Sequence, residues 1–222
     1  MIKKIFYLLL TFTLLSSSLC FAEQKDSTDY PYIQFLGAAQ SIGGSAILIN
    51  TGQTRFLIDY GLYYGKDDQQ KNLEVLDNLA NLNSVLLTHA HIDHSGRLPL
   101  LYKNGFKGSV VGTDATKDIT GTMLNMSLGI AENQGTKLFD RSALDQMLEL
   151  FKTIEYGQVV KLSPDVDVRF NDAGHILGSS IIEIWIKQGS KKLKLVATGD
   201  MGGRNIPILS DHAQIKDADY VI

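Results

Sequence analysis

The sequence predicts a mixed α/β fold in which layers of β-sheet are covered by helices. Short apolar, β-branched runs separated by glycine-bearing loops fill the first part of the chain, helical patterns enter after them, and strand-like runs return near the end. That order, strands first and then strands mixed with helices, is typical of sheets packed under helices. The chain of 222 residues is long enough for one domain with a sizeable core.

Each predicted strand is short and is bounded by polar residues or glycine-bearing turns. The strands cover Tyr32 to Leu36, Ser45 to Asn50, Arg55 to Asp59, Ser84 to Thr88, Val166 to Phe170, Ser180 to Ile186 and Lys192 to Ala197. The final residues, Ala218 to Ile222, predict the start of one further buried strand. Because that apolar run has no following turn, we expect the sequence to be a fragment or a product that was cut short.

The predicted helices lie mainly between these strands. They run from Ser95 to Lys103, from Thr113 as N-cap toward Asn133, and from a capping box of Ser142 and Asp145 to near Phe151. Leu73, Leu76 and Leu79, spaced three apart, weakly predict one or two helical turns. The apolar positions of the second helix are expected to face the core, namely Met123, Leu124, Met126 and Leu128.

The first 22 residues have the pattern of a secretory signal peptide. Lys3 and Lys4 precede a continuous apolar run from Ile5 to Leu15, and small residues suit cleavage after Ala22. The run is shorter than the roughly 20 residues of a transmembrane span. Cys20 also allows a lipoprotein, although the residue before it is larger than lipid attachment usually requires. We therefore expect a periplasmic or secreted protein without a membrane span after cleavage, beginning with a polar lead-in at 23–31.

Removal of the signal peptide would change the chemistry open to the chain. The mature chain would contain no cysteine, which excludes disulfides and thiolate ligands and turns any metal site toward histidine and carboxylate. Without Lys3 and Lys4, 19 basic residues would face 24 acidic ones, a net charge of −5. This composition does not supply the basic surface that a general electrostatic grip on nucleic acid needs.

The densest chemical signal is the segment His89-Ala90-His91-Ile92-Asp93-His94, which follows a predicted buried strand. It places four possible metal ligands within six residues, on the loop where the strand ends. Imidazole and carboxylate ligands crowded on one loop suit zinc, which binds nitrogen and oxygen at about 2.0–2.2 Å. The alternative is a surface loop that happens to be rich in histidine, but the position between strand and helix favours the metal site.

Further candidate ligands follow other predicted strands. His175 lies between Gly174 and a second loop glycine, which lets its imidazole project from a tight turn, although a lone histidine there is more often an ordinary core or surface residue. Asp200 follows the strand that ends at Ala197, and Asp59 ends an earlier strand in the same manner. Aspartate is also common in turns and N-caps. We expect these strand-end loops to converge on one rim of the sheets.

Taken together, these residues resemble the metallo-β-lactamase superfamily, whose signature is His-x-His-x-Asp-His followed by a separate His and a separate Asp. The match is closest to the β-CASP branch, which contains RNA-processing nucleases. Its motifs are LGAAQSIGGS at 36–45, THAHIDHSGRLPLL at 88–101, AGHILGS at 173–179, and Gly199 with PIL at 207–209. The resemblance extends from Tyr32 to Ile222 and implies the αββα sandwich of that superfamily.

The resemblance also implies roles for single residues. One zinc ion would be held by His89, His91 and His175, and the second by Asp93 and His94. Asp200 would bridge the two ions, and Asp59 would orient the metal loop by hydrogen bonds without binding metal. The catalytic residues would be Asp93 and Asp200, with Asp93 able to accept a proton from a water that the two zinc ions activate for attack on phosphorus.

The resemblance breaks at the C-terminus. In the family, the chain continues into a β-CASP cap and then returns to complete the sandwich, so 32–222 would be only the N-terminal part of the domain and weakly active alone. Three functions remain open from the sequence. They are an exported zinc-dependent ribonuclease acting on RNA, an exported hydrolase of small esters, thioesters or lactams, and an inactive truncated remnant.

Overall fold

The structure is a computed structural model, and it describes residues 30–65 and 69–222. The predicted signal peptide at 1–22 and most of the polar lead-in therefore lie outside the described residues. None of the helices in the described ranges combines the length and apolarity needed to cross a bilayer.

Two β-sheets form the centre of the fold. The first sheet has the strand order β1 to β6, with the bounds β1 Tyr32–Phe35, β2 Ile47–Asn50, β3 Arg55–Ile58, β4 Ser84–Leu86, β5 Ser109–Gly112 and β6 Lys152–Thr153. Its first three strands pair antiparallel, whereas β3, β4, β5 and β6 run parallel. The carboxyl ends of β3 and β4 therefore meet at one edge of this sheet.

The second sheet has the order β11-β10-β9-β8-β7. Its strands are β7 Val159–Ser163, β8 Val166–Asp172, β9 Ser180–Gln188, β10 Lys191–Ala197 and β11 Tyr220–Val221. Strands β8 and β10 both run antiparallel to β9, so they end at the same edge. The backbone N–H of Ser180 donates to the carbonyl of Thr88 at 2.8 Å, which joins this edge to the end of β4 in the first sheet.

The helices cover one face of the first sheet. They are α1 Ile92–Ser95, α2 Leu98–Lys103, α3 Asp114–Gln134 and α4 Arg141–Glu149, with 3-10 turns at Gln69–Leu73 and Leu79–Asn81. Leu48, Leu57 and Val85 of the sheet pack with helix residues, while the alternate positions Ile49 and Phe56 face the second sheet. This alternation follows from the two-residue period of a strand. The layers are thus helix, sheet and sheet, which confirms the α/β class and part of the predicted αββα sandwich.

Several predicted elements differ in detail. The helix expected from Ser95 to Lys103 begins only at Leu98 as α2, because the N–H of Arg97 bonds the carbonyl of Tyr60 and separates α2 from the short helix α1. Leu73 and Leu79 lie in two separate 3-10 turns, whereas Leu76 lies in the loop between them, which also contains Asn78 in the left-handed region with φ of 56°. Thr113 caps α3 as predicted, but α4 is capped by Asp140 rather than Ser142.

Burial also departs from the prediction at two places. Met126 is 65% exposed, whereas Leu124 and Leu128 of the same helix are buried as expected. The last strand forms and pairs parallel with β10, but Tyr220 and Val221 are 58% and 64% exposed, so the expectation of a buried strand was wrong. Strands β5, β6 and β7 were not predicted, because their short runs lack a clear alternating pattern.

The outer face of the second sheet contains a buried carboxylate. Glu183 is 1% exposed, and it accepts hydrogen bonds from Arg169 Nε at 2.6 Å and Asn171 Nδ2 at 2.9 Å, while Lys194 Nζ lies 2.6 Å away. Burial raises the pKa of Glu183, but the hydrogen bonds from Arg169, Lys194 and Asn171 outweigh it and lower the pKa to about 2.

We expect this carboxylate to make folding stability depend on acid pH. Since its pKa is lowered in the folded state, its contribution is complete above the ordinary value of 4.5 and is lost as the pH falls through about 2. A shift of this size corresponds to about 3 kcal/mol. Urea denaturation across a pH series should show the loss in the wild type but not in Glu183→Gln. The exposed Glu149→Gln is the control, and a wild-type-to-Glu183→Gln difference that stays constant down to about pH 3 would contradict the prediction.

Candidate metal centre

The histidine motif begins three residues after the end of β4. His89 is buried, and His91 is the N-cap of the short helix α1. Asp93 and His94 lie within α1, so the turn of that helix brings them back toward the end of β4. The apolar strand thus fixes the start of the loop, and the helix turns its polar residues to one side.

The second sheet supplies the remaining polar groups. His175 follows β8 and Asp200 follows β10, as the strand-end pattern predicted. His91 Nδ1 lies 3.1 Å from both His89 Nε2 and His175 Nε2. Asp200 Oδ2 lies 3.8 Å from His89 Nε2 and 3.5 Å from His175 Nε2. The structure therefore brings these four side chains from two sheets into one cluster.

The spacing of these four atoms fits a tetrahedral metal site. Ligand atoms about 2.0–2.1 Å from a tetrahedrally coordinated zinc lie about 3.4 Å from one another. The contacts of 3.1 to 3.8 Å bracket that value. His91 Nδ1 carries at most one proton, so it cannot donate to both neighbouring imidazoles at once. Nitrogen lone pairs therefore face one another in this cluster, and a cation between them would remove their mutual repulsion.

A second group of candidate ligands adjoins the first. His94 Nε2 lies 3.5 Å from Asp200 Oδ1 and 3.9 Å from Asp93 Oδ2. The two carboxylate oxygens of Asp200 thus face different histidines. Oδ1 faces His94, whereas Oδ2 faces His89 and His175. The Asp200 side chain is 46% exposed, which leaves this side of the cluster open to solvent. Two metal ions could be held side by side in this arrangement.

Asp59 lies behind the cluster and organises it. Its carboxylate is 1% exposed and accepts from the backbone N–H of Thr88 at 2.8 Å, from Thr88 Oγ1 at 2.9 Å, and from His94 Nδ1 at 2.7 Å. The Thr88 hydroxyl gives its proton to Asp59 and can then only accept from His89 Nδ1, 3.0 Å away. These bonds leave the Nε2 lone pairs of His89 and His94 free for a metal.

The electrostatics favour the ligand form of His89. Burial, followed by repulsion from His94, lowers the pKa of His89 to about 3, although Asp59 acts in the opposite direction. The imidazole is therefore neutral at pH 7, as a metal ligand must be. Burial also lowers the pKa of His94, but the charge and hydrogen bond of Asp59 outweigh it and raise the pKa above its ordinary value.

Two glycines allow the metal loops to approach their neighbours closely. A Cβ at Gly61 would lie 1.6 Å from the carbonyl oxygen of Asp93, and a Cβ at Gly202 would lie 1.6 Å from the carbonyl oxygen of Gly174. The N–H of Gly202 donates to Ala173 at 2.9 Å. The loop that carries Asp200 is thus held against the loop that carries His175.

We expect Gly202→Ala to weaken metal binding although it removes no ligand. The added methyl must push the two loops apart, and disturbing the groups that orient a ligand typically costs about 10- to 100-fold in metal affinity. Competition of the protein with a zinc-chelating dye would measure the change. Gly129→Ala is the matched control, because nothing lies within 4 Å of a Cβ at that helical position. Equal affinities in the two variants would contradict the prediction.

Sequence reasoning gave no role to two residues of the site. Thr88 precedes the motif directly, and its position between a strand end and His89 was the only signal available. Tyr64 lies in a loop, and its hydroxyl donates to Asp93 Oδ1 at 3.3 Å. Burial and the neighbouring carboxylate of Asp93 raise the pKa of Tyr64, so its phenol keeps the proton that it donates. Its role depends on a loop contact that no periodic pattern reveals.

The fold and this cluster define the class of protein. The chain belongs to the metallo-β-lactamase superfamily, since the model of a metallo-beta-lactamase superfamily domain matches residues 48–198. The native FEZ-1 metallo-β-lactamase of Legionella gormanii superposes with a TM-score of 0.50 at 19% identity, over 78% of this chain and 62% of that chain. At this identity the likeness shows the fold alone.

Relatives found by sequence similarity indicate the branch of the superfamily to which the chain is similar. Ribonuclease TTHA0252 of Thermus thermophilus is 33% identical over 186 residues, which are 84% of this chain and 41% of the relative. The transcription termination factor FttA of Methanosarcina mazei is 33% identical over 169 residues, 74% of this chain and 26% of that protein. Both are β-CASP proteins, so the branch predicted from the sequence is confirmed. The chain spans about two fifths of the first relative and about a quarter of the second.

Proposed function

We propose that this protein is an exported, zinc-dependent phosphodiesterase that cleaves RNA. The position of Asp200 carries the proposal. Its Oδ2 faces His89 and His175 while its Oδ1 faces His94, which is the arrangement of a carboxylate that bridges two metal ions. A site with two ions is suited to phosphodiester hydrolysis, because both the attacking and the leaving oxygen carry charge.

The ligands divide between the two ions. His89, His91 and His175 would hold the first ion, Asp93 and His94 would hold the second, and Asp200 would serve both. Nitrogen and carboxylate ligands at this spacing favour zinc. Asp59 takes no part in coordination, because its oxygens are already occupied by Thr88 and His94.

When bound, the two ions supply an activated water and stabilise the charge that develops on the phosphate. The remaining work falls to the side chains. Asp93 is held at the open side of the cluster by Tyr64 and accepts a proton from the attacking water. Asp59 keeps His94 in one orientation through the reaction.

The choice of RNA as substrate is supported by the relatives. One is named a ribonuclease and the other a transcription termination factor. Export is supported only by the signal-like first 22 residues. An exported enzyme would act on RNA outside the cytoplasm.

The test is cleavage of labelled single-stranded RNA by the zinc-loaded protein, in the longest form that its source produces. Cleavage that is lost with a chelator and restored by zinc supports the proposal. A panel of chromogenic esters, thioesters and lactams is assayed in parallel. Hydrolysis of one of these with intact RNA would replace the proposal by a small-molecule hydrolase, and loss of all activity with no bound zinc would identify an inactive remnant.

A further inference from the structure

A groove of about 780 Å³ opens beside the metal centre. On one side its wall is the loop that carries Leu62 and Tyr64, and on the other it is the C-terminal half of α3. Ile92 also lines it, and this residue stands between the proposed ligands His91 and Asp93. The groove therefore adjoins the helical turn that carries Asp93 and His94.

The described wall of this groove is apolar and open to solvent. Met126 is 65% exposed, Ile130 is 56% exposed and Tyr64 is 53% exposed. Met126 was expected in the core from its spacing, so its exposure leaves an apolar surface that helix packing does not use. A concave, mostly apolar surface with a few polar groups at one end is typical of a ligand site.

Tyr64 joins the groove to the metal centre. Its hydroxyl donates to Asp93 at 3.3 Å, which fixes the ring beside the second ion site. Gly43 lies against both groups, because a Cβ there would be 3.1 Å from the Tyr64 ring and 3.3 Å from the Asp93 side chain. The ring is thus held at its polar end, while its flat surface remains available to a ligand.

We propose that Tyr64 is a substrate-binding residue whose ring stacks on an unpaired nucleobase next to the phosphate bound at the metal centre. This inference rests on the proposed function, which places a phosphodiester at the ions. The base of an adjoining nucleotide would then reach the Tyr64 ring and the apolar groove behind it. Stacking of this kind is tolerant of base identity, because every base presents a flat π-surface.

The test compares two small ligands of the zinc-loaded protein by calorimetry. Adenosine monophosphate and ribose 5-phosphate share the sugar and the phosphate and differ only in the base. We expect the wild type to bind the nucleotide about tenfold more tightly, a change typical of one stacked base. Tyr64→Leu should abolish this preference, so that the two ligands bind with about equal affinity.

Two further variants distinguish the effect of the Tyr64 ring from the effect of its hydroxyl and from that of replacing any exposed tyrosine. Tyr64→Phe retains the ring and should keep the preference for the nucleotide. Tyr30→Leu alters a tyrosine that is 73% exposed and outside the groove, and it should bind both ligands as the wild type does.

The outcomes distinguish the two proposals. Equal binding of both ligands by the wild type, or a preference that survives in Tyr64→Leu, overturns the stacking role while the phosphodiesterase stands. Binding of neither ligand by the zinc-loaded wild type, together with intact RNA in the cleavage assay, overturns the proposed function and the stacking role with it.

Discussion

Replacing His91 by alanine should abolish hydrolysis and leave the fold intact. Its Nδ1 contacts both other histidines of the first ion site at 3.1 Å, so its loss removes the ligand at the centre of that group. Bound ions would contribute several kcal/mol of transition-state stabilisation. Because each 1.4 kcal/mol is tenfold in rate, we expect a loss of about a thousandfold or more. The imidazole is only half-buried, and stability should change little.

Two measurements check this expectation. The rate of RNA cleavage tests the chemistry, and the zinc content after gel filtration tests the site independently of activity. His212→Ala is the matched control, because this histidine lies outside the ligand cluster. Retained zinc and activity in His91→Ala would refute the ligand assignment. An equal loss in His212→Ala would show that His212 is also needed for the metal site.

Asp59→Asn should damage both the fold and the site. The carboxylate accepts three hydrogen bonds from Thr88 and His94, and an amide would turn a donor toward groups that are themselves donors. Hydrogen bonds to a charged group contribute about 1.5–3 kcal/mol each, and a buried donor left unpaired costs a similar amount, so we expect a destabilisation of about 3 kcal/mol. The affinity for zinc should fall by about 10- to 100-fold, since His94 loses the partner that orients it.

Chemical denaturation and zinc titration of the same samples would measure the two effects. Asp118→Asn, at an exposed position of α3, serves as the control and should differ little from the wild type. Wild-type zinc affinity in Asp59→Asn would show that Asp59 supports the fold alone. Destabilisation without any change in affinity would therefore separate the two roles.

Much of the site could be predicted because its residues follow strand ends. His89 comes shortly after the short apolar run Val85-Leu86-Leu87, and Asp200 follows a strand that alternates lysine and leucine before its apolar end. The carboxyl ends of β3 and β4, like those of β8 and β10, meet at one edge. The convergence of histidines from both sheets therefore follows from local patterns and topology.

The parts that could not be predicted depend on contacts between loops. Tyr64 is positioned by Asp93 and the glycine loop near Gly43, and neither contact leaves a periodic signal in the sequence. The break between α1 and α2 arises from a backbone bond of Arg97 to Tyr60, which is distant in sequence. Met126 has the spacing of a core residue, but the groove beside it leaves no partner in the described residues to cover it.

The division of the ligands between two sheets has a consequence for folding. Each sheet alone carries an incomplete set, so a high-affinity site exists only after the sheets have packed and the loops of His175 and Asp200 have met the first sheet. A metal ion that binds the assembled sandwich and not its separate halves shifts the folding equilibrium by mass action. Bound zinc would then stabilise the packing of the two sheets at this edge, and the rate of zinc uptake would report the last step of their assembly.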